Sequence, residues 1–400
     1  MQPADKSNLL RSEAELKLEQ ARKDKAERIK ELGSPIEIPG IALAIEVRDS
    51  IAWIAENTTV IRKLDLLTGK TLQLFRGHTA PVTSLTFVDR LPGSGQADLL
   101  VTGSWDKTIK IWNTQTKDII SSTDAHSDFV KALHVIPSLR LLVSSGSDKV
   151  VRLWDLSTVA DSRPLTSIGT LSDHSRPVES LQTRALPDKS VVLYTGDTMG
   201  VIKLWKIAKD ARGTTSWLIT PVDELKHHRT RVNDMIYGDG LLWTASADET
   251  AQIVHQPSMP GAKPIPPIQH NASVKAILPL ARTPAPAEET HLLLTGSGDA
   301  IRLYDLSTPE EPEFLAETDA HSRDVTALRY WSRPLEPAKG PPRSLWESWI
   351  VSTSLDGTLR RWKLTELLHP PPPREEPSPP PVNLLDEDEE RELADLMGDD

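Results

Sequence analysis

Short runs of apolar and β-branched residues alternate with turn residues along most of the chain. Residues 77–113 hold three such runs, and residues 125–155 hold three more. Runs of this length, bounded by Gly, Asp, Asn and Ser, predict strands that fold back on one another as antiparallel meanders. The pattern therefore predicts an all-β architecture for the central part of the chain.

Histidine, aspartate and tryptophan return at regular positions within these units. In the three strongest copies the residues are His78, Asp106 and Trp112; His126, Asp148 and Trp154; and His321, Asp356 and Trp362. The aspartate precedes the tryptophan by six residues each time. Weaker copies begin at His174, His228 and His270, so successive histidines are 42 to 54 residues apart. A period of this size indicates a repeat architecture in which no unit folds alone.

The repeated units resemble the WD-repeat β-propeller family, whose repeats of about 40 residues carry Gly-His near the start and Trp-Asp near the end. The resemblance covers roughly residues 35–368, and counting residues 41–66 as a further unit it implies seven blades. It also implies that the histidine, aspartate and tryptophan of one blade hydrogen-bond to each other. We expect these residues to be structural rather than catalytic, because an active site is not repeated around a ring.

Three units depart from the pattern, because the acid or the tryptophan is replaced. The residues at the three positions are His174, Met199 and Trp205; His228, Asp248 and Val254; and His270, Gly298 and Tyr304. We expect these blades to have lost part of the hydrogen-bonded network and to depend more on packing.

Ring closure requires a fourth strand for the last blade. After Leu364 the sequence soon runs into prolines, whereas residues 35–38 form a short apolar run before the first unit. Since a propeller leaves no open sheet edge when its ring is closed, we expect the N-terminal run to supply the missing strand.

Composition narrows the functional classes. The chain has no cysteine, which excludes disulfides, thiolate zinc sites and cysteine nucleophiles. No run of 18 apolar residues occurs, and the first residues are polar, so a soluble cytoplasmic or nuclear protein is expected. We find no phosphate-binding glycine loop, nucleophile elbow or metal-ligand cluster, and therefore expect a non-enzyme without cofactors.

The two ends differ from the ring in composition. We divide the chain into a charged N-terminal helix (1–33), the propeller (34–369), a proline-rich linker (370–381) and a disordered acidic tail (382–400). The segment 7–32 lacks Pro and Gly and predicts a solvated helix, which is either a spacer or a partner-binding or dimerising element. It has no sustained heptad repeat, so a stable coiled coil is not expected.

The proline-rich linker contains two P-x-x-P spacings, which suit SH3 or WW domains as well as a plain spacer. The acidic tail places Leu393, Leu396 and Met397 on one face of a short amphipathic helix. Such a segment either binds a partner's groove or serves only solubility.

The negative charge of the chain is concentrated in this tail. Residues 386–400 carry −8 of the net charge of −11, from nine acids and one arginine. The rest of the chain, including the ring, has only a small net negative charge, so the ring is not expected to attract nucleic acid.

Partner-binding residues are expected near the Gly-His loops, the surface that the family resemblance implies. The candidates are Trp105, Phe129, Lys131, Arg176, Arg231, Lys275 and Arg323. Together they predict a basic mouth with aromatic flanks that suits an acidic peptide. The alternative is that they are ordinary exposed side chains. The long insertion at 332–349 brings Trp346 and Trp349, which either cover the last blade or anchor a partner.

The resemblance favours an interaction scaffold that serves as a subunit or adaptor in a multiprotein assembly. An alternative is an assembly or chaperone factor for a basic client in ribosome biogenesis or a nuclear complex. A ubiquitin-ligase substrate receptor is disfavoured, because no F-box precedes the ring and Trp154-Asp155 is not followed by the x-Arg of cullin adaptors.

Overall fold

The structure is a computed structural model that describes residues 13–88, 98–157, 159, 163–210, 217–258, 263–285, 289–308, 310–334 and 346–370. Within these residues the strands form seven sheets of four antiparallel strands each. Six sheets are meanders of consecutive strands, and the seventh takes its outermost strand from the N-terminal region. This is the seven-bladed all-β architecture that the repeat pattern predicts.

The strands are numbered β1 to β28 in chain order, and each blade is described from its innermost to its outermost strand. Blade 1 holds β2 Ala42–Arg48, β3 Ile51–Glu56, β4 Val60–Asp65 and β5 Thr71–Arg76. Blade 2 holds β6 Val82–Val88, β7 Leu99–Ser104, β8 Thr108–Asn113 and β9 Ile119–Asp124. Blade 3 holds β10 Val130–Ile136, β11 Leu141–Gly146, β12 Val151–Asp155 and β13 Thr166–Leu171. Blade 4 holds β14 Val178–Ala185, β15 Val191–Asp197, β16 Ile202–Lys209 and β17 Trp217–Leu225.

The remaining blades follow the same order. Blade 5 holds β18 Val232–Gly238, β19 Leu241–Ser246, β20 Thr250–His255 and β21 Ile268–Gln269. Blade 6 holds β22 Val274–Pro279, β23 Leu292–Ser297, β24 Ala300–Asp305 and β25 Glu313–Asp319. Blade 7 holds β26 Val325–Pro334, β27 Trp346–Ser354, β28 Thr358–Lys363 and β1 Ile36–Glu37. Helix α1 spans Glu13–Arg28, and helix α2 spans Leu364–Leu368.

The hydrophobic core lies between neighbouring blades. One cluster joins side chains of blades 3 and 4, and another joins blades 6 and 7. The second strands β7, β11, β15 and β23 are buried at every residue, because each is covered by a sheet on both faces. The outer strand β9 instead alternates exposed and buried residues. Each blade therefore needs its neighbours to cover its apolar surface.

The N-terminal run closes the ring as predicted. In β1, Ile36 pairs with Leu359 and Glu37 pairs with Thr358 of β28. The Arg361 backbone N–H donates to the Gly33 carbonyl at 2.6 Å, which extends the contact along β28. The innermost strands of blades 7 and 1, β26 and β2, also lie against each other.

Helix α1 docks on the seam between blades 6 and 7 through its C-terminal end. Lys25 lies 2.8 Å from both Asp299 and Asp319, and Ile29, just after the helix, is 1% exposed. The Arg360 guanidinium donates to the Ile29 and Leu32 carbonyls at 2.6 and 2.5 Å. The solvated helix of the sequence prediction is thus anchored to the ring at one end, while Leu16 and Leu18 near its other end are exposed.

The two tryptophans of the long insertion belong to β27, which pairs with β26 as far as Trp346 and Pro334. Trp349 is buried against Trp331, with ring centroids 5.7 Å apart, and therefore covers the blade. Trp346 is 57% exposed. The proline-rich linker beyond Pro370 and the acidic tail, with Leu393, Leu396 and Met397, lie outside the described residues, so these remain predictions.

Candidate partner-binding face

A hydrogen-bonded chain of four side chains connects two strands, the turn between them and the loop before the first strand in blade 2. The Trp112 indole N–H donates to the Thr102 hydroxyl at 2.8 Å. That hydroxyl lies 2.8 Å from Nε2 of His78, whose Nδ1 lies 2.7 Å from Asp106. The distances fit a histidine with its proton on Nδ1, so that it donates to the carboxylate and accepts from the hydroxyl.

The same arrangement recurs in blades 3, 4 and 7. The hydroxyl between histidine and tryptophan belongs to Ser144, Thr195 and Ser352, and it lies 2.8 Å from the histidine Nε2 in each blade. Trp154, Trp205 and Trp362 donate to these hydroxyls at 2.8 to 3.0 Å. His126 and His321 reach Asp148 and Asp356 at 3.0 and 3.1 Å.

Burial and hydrogen bonding set the charge state of these groups. Burial opposes ionisation of Asp106 and Asp356, but hydrogen bonds from the histidine, threonine and backbone outweigh it and hold the pKa of both carboxyls well below its usual range. Burial lowers the pKa of His126, His228 and His321 despite their carboxylate partners. In the pairs formed by His126, His228 and His321, a neutral histidine therefore donates to an ionised aspartate at neutral pH.

Although a hydroxyl, a histidine and an aspartate stand in series, this order does not make a nucleophile here. Thr102, Ser144, Thr195 and Ser352 have no exposed surface, and a tryptophan N–H occupies each hydroxyl oxygen. A nucleophilic oxygen must reach a substrate atom, which a buried and already bonded oxygen does not do. The network holds strands in register.

Blade 4 corrects one sequence prediction, since its network is not broken. The carboxylate that reaches His174, at 3.0 Å, belongs to Asp197 rather than to the residue at position 199. Met199 is 52% exposed, and its backbone N–H donates to Asp197 at 2.8 Å. Asp197 occupies the place of Ser104 in blade 2, as the shared register of the second and third strands shows.

Blade 5 corrects a second prediction, because it replaces the missing tryptophan donor. Nε2 of His227 lies 3.2 Å from the Thr244 hydroxyl, which also lies 2.7 Å from His228. In blade 2 the residue before the histidine is Gly77, where an added Cβ would lie 3.0 Å from the Trp112 ring. With Val254 in place of tryptophan, blade 5 has room for a large side chain before its histidine.

In blade 6 the network has lost its acid, as the sequence predicts. The turn from Thr295 to Arg302 is one residue shorter than the equivalent turn from Thr102 to Lys110. His270 Nδ1 donates instead to the Ile268 carbonyl at 3.2 Å, and the Tyr304 hydroxyl lies 3.3 Å from its Nε2. Burial lowers the pKa of His270 to about 4, and nearby Arg302 adds to the shift.

Blade 1 has a buried ion pair of a different kind. Arg62 and Glu56 meet at 2.5 Å, with 9% and 1% of their side chains exposed. Arg62 also donates to Thr71 of the outer strand at 2.8 Å. Sequence reasoning missed this pair, because it searched this unit for the histidine and tryptophan of the other blades.

The histidine loops and the turns after the second strands meet at one end of the ring, which we call the top face. In blade 2 the Trp105 backbone N–H donates to the Pro81 carbonyl at 2.9 Å, and in blade 3 Ser147 donates to Phe129 at 2.9 Å. Equivalent bonds of 2.9 to 3.1 Å recur in the described residues of blades 4 to 7. Two loops of each blade are thereby held together at this face.

Two aromatic side chains stack on the top face across the boundary between blades 2 and 3. The Trp105 and Phe129 rings have centroids 4.9 Å apart and an interplanar angle of 17°. Each residue is 38% exposed although it makes this contact. An exposed aromatic pair that is already in place is a rigid apolar surface.

The predicted basic residues of this face divide into two groups. Lys131 is paired with Glu179 at 3.3 Å, and Lys275 with Asp324 at 2.8 Å, each across a blade boundary. Arg176, Arg231 and Arg323 are exposed, and no ion pair involves them among the described residues. The exposed Met199 lies on the same face and was missed as a surface residue, because it was read only as a lost aspartate.

Comparison with known proteins agrees with this geometry. The family model for the WD domain, G-beta repeat, matches residues 69–113 and 117–155. The chain is similar to an uncharacterized WD repeat-containing protein of Schizosaccharomyces pombe, with 26% identity over 381 residues, 91% of this chain and 90% of that protein. The chain therefore contains WD repeats and has the seven-bladed β-propeller fold that the resemblance implies.

Two other relatives of this WD-repeat propeller are similar over shorter stretches. The nuclear distribution protein PAC1 of Arthroderma otae is 30% identical over 36% of this chain and 34% of its own length. Pre-mRNA-processing factor 19 homolog 2 of Arabidopsis thaliana is 29% identical over 43% of this chain and 31% of its own length. WD-repeat propellers typically act as non-catalytic scaffolds that bind other proteins. Among the described residues, no helix of this propeller has the length and apolar character that crossing a membrane requires.

Proposed function

We propose that this propeller is a non-catalytic subunit or adaptor of a multiprotein assembly and docks a partner protein on its top face. The stacked Trp105–Phe129 pair is the observation that carries this proposal. Aromatic residues supply most of the energy at protein interfaces when they are held rigidly and become fully covered. Each ring here still has surface that a partner would remove from water.

Charge favours an acidic partner segment at this site. Arg176, Arg231 and Arg323 belong to blades 4, 5 and 7, and each is exposed at the top face. Arginine binds carboxylates in a planar, two-bond geometry, which adds specificity to an aromatic anchor. The same arginines disfavour the docking of a basic client on this face.

The test compares partner sets by quantitative affinity purification and mass spectrometry from native extract. Trp105→Ala and Phe129→Ala are each compared with the unaltered chain, and Ile119→Ala is the matched control. Ile119 is 42% exposed, but it lies on the outer strand β9 of blade 2. We expect a stoichiometric partner to fall by roughly tenfold in both top-face variants and to be kept by the control. Equal recovery in all four samples would contradict docking at this face.

In the same proposal, the acidic tail is a second element that binds partner proteins. A chain truncated after Pro381 lacks Leu393, Leu396 and Met397. If these residues dock in a partner's groove, truncation removes a different set of partners from the one that Trp105→Ala removes. If the tail serves only solubility, the truncated chain recovers the full set.

We also propose a cytoplasmic or nuclear location. Two partial relatives support it through their names, one a nuclear distribution protein and the other a pre-mRNA-processing factor. Fluorescence microscopy of the tagged full chain tests this directly, since accumulation in any other compartment contradicts it.

A further inference from the structure

A cavity of 410 Å³ lies between the outer strands of blades 5 and 6. Its apolar walls are Pro266, Pro267, Tyr304, Pro312 and Phe314. Outer strands of blades 5 and 6 and their connections line it, whereas the stacked aromatic pair of the top face lies on blades 2 and 3. Nothing in the proposed docking at Trp105 and Phe129 uses it.

Blade 5 contributes to the cavity because its outer strand is very short. β21 pairs with β20 only through Gln269 with Thr250 and Ile268 with Ala251. The next two residues back along the chain are Pro267 and Pro266, which have no backbone N–H to continue the ladder. The proline rings therefore line an opening where blades 1 to 4 and blade 6 continue their outer strand.

Blade 6 contributes an aromatic floor and wall. Tyr304 occupies the position of the repeat tryptophan, and its buried ring meets Phe314 edge to face, with centroids 5.7 Å apart. The bond between its hydroxyl and His270 holds this ring in place. Phe314 is 54% exposed, so much of its face is open toward a ligand.

The lining suits an extended segment that contains proline. Segments in the polyproline conformation dock in grooves lined by aromatic side chains, and proline brings no N–H that would be left unsatisfied against an apolar wall. A volume of 410 Å³ lies within the usual range of small binding sites and accommodates only a few residues.

Charge around the cavity favours a basic residue in that segment. Glu310, Glu311 and Glu313 are exposed beside Pro312 and Phe314, and Glu317 is part of the lining. Arg302 is the cation of the lining, and its Nε–H already donates a hydrogen bond to Glu317 at 2.5 Å. The acids of the rim outnumber the cations, which disfavours an acidic ligand here.

We propose that this cavity, which we call the blade 5–6 pocket, binds a short extended segment of a partner protein that contains proline and a lysine or arginine. It is a second docking site of opposite charge preference to the top face. The two sites would let one ring hold two partners at once.

The test is isothermal titration calorimetry of the full chain with the capped synthetic peptide Pro-Pro-Leu-Pro-Arg-Pro-Pro. We expect binding with a dissociation constant of about 100 µM, and a loss of roughly tenfold or more in Phe314→Ala. Leu218→Ala is the matched control, because Leu218 is 59% exposed on the outer strand β17 of blade 4. We expect it to bind like the unaltered chain. No binding at millimolar peptide, or equal affinity in Phe314→Ala, overturns the proposal.

A second titration separates the charge preference from the apolar contact. The same peptide with glutamate in place of arginine should bind roughly fivefold more weakly at low salt, and 0.5 M salt should reduce the difference. Equal or tighter binding of the glutamate peptide overturns the proposed preference for a basic residue. Thermal unfolding of each variant confirms that the compared proteins are folded.

Discussion

At the scale of single residues, Asp197 combines two roles that blade 2 divides between Ser104 and Asp106. One carboxylate oxygen accepts the Met199 backbone N–H at 2.8 Å, as the Ser104 hydroxyl accepts that of Asp106 at 3.1 Å. The other oxygen accepts from His174. Blade 4 thus keeps its network although the acid has moved two positions along the turn.

We predict that Asp197→Ala lowers the free energy of unfolding by about 2–4 kcal/mol, because it leaves His174 and two turn N–H groups without a partner. Met199→Ala, its neighbour in the same turn, should change the free energy by less than about 0.5 kcal/mol. Denaturant unfolding of both variants measures the difference. If Met199→Ala were the more damaging change, position 199 rather than Asp197 would support the blade.

The spacing of residues predicts the hydrogen-bonded network where the repeat is regular. It misses the network where the loss of one repeat residue is compensated by a change at a second position. The six-residue distance from aspartate to tryptophan finds Asp106, Asp148 and Asp356, but Asp197 lies eight residues before Trp205. In blade 5 the compensation is visible in the sequence as the joint occurrence of His227, before the repeat histidine, and Val254, at the position of the repeat tryptophan. In blade 2 the Trp112 ring lies where a side chain at position 77 would begin, whereas Val254 leaves the equivalent space to His227 in blade 5.

At the scale of elements, the N-terminal segment joins the two ends of the ring. β1 itself contributes only two residue pairs, so the contacts on either side of it must supply much of the stability. Leu32 packs against the apolar cluster of blades 6 and 7, Ile29 is 1% exposed, and Arg360 satisfies the carbonyls of both residues. Arg361 donates to the Leu66 carbonyl at 2.5 Å, which links blade 7 to blade 1.

We predict that Ile29→Ala lowers the free energy of unfolding by about 2–4 kcal/mol, since it removes a fully buried side chain of the N-terminal segment. Leu16→Ala, at an exposed position of the same helix, should have little effect. Hydrogen exchange should also rise selectively in β1 and β28 of Ile29→Ala. Uniform exchange across all seven blades would show that this segment does not close the ring.

The sequence predicts the elements better than their contacts. The apolar run at residues 35–38 was enough to identify the closing strand, because the last unit offered no other. The helical segment carries charge at most positions, so its pattern does not reveal which face meets the ring. Lys25 and Arg28 dock against Asp299 and Asp319, acids that come from turns and strand ends far along the chain.

At the scale of the whole molecule, buried neutral histidines link stability to pH. Burial lowers the pKa of His270 to about 4, and burial together with His228 lowers that of His227 to about 3, from a usual value of 6.5. The unfolded chain therefore binds protons near pH 6.5 that the folded chain does not bind until the pH is much lower. Stability is fully present above pH 6.5 and falls as the pH drops toward 4.

We predict that the unaltered chain loses more free energy of unfolding between pH 7 and pH 4.5 than His270→Gln does, by about 2–3 kcal/mol. His270 has no carboxylate partner in its shortened turn, so its protonation in the folded state is not compensated. Ile29→Ala should keep the pH dependence of the unaltered chain, although it is less stable at pH 7. If the free energy of unfolding fell equally with pH in His270→Gln and in the unaltered chain, His270 would not be a source of the pH dependence.

The sequence predicts which residues lie on the candidate face but only part of the contacts that they make. Repeat alignment brings Trp105 and Phe129 to the same end of the ring, but only the structure reveals that they stack. Alignment also placed Lys131 and Lys275 there, yet both are paired with acids of the next blade, since the innermost strands lie side by side. Ion pairs between blades depend on the geometry of the ring, so the repeat pattern of a single unit does not reveal them.

The most direct test of the scaffold account is hydrogen–deuterium exchange of the full chain, free and bound to the partner that Trp105→Ala fails to recover. We predict protection at the top-face loops of blades 2 and 3, residues 104–107 and 127–130. Protection confined to outer strands, or to residues 371–400, would contradict docking at the stacked aromatic pair.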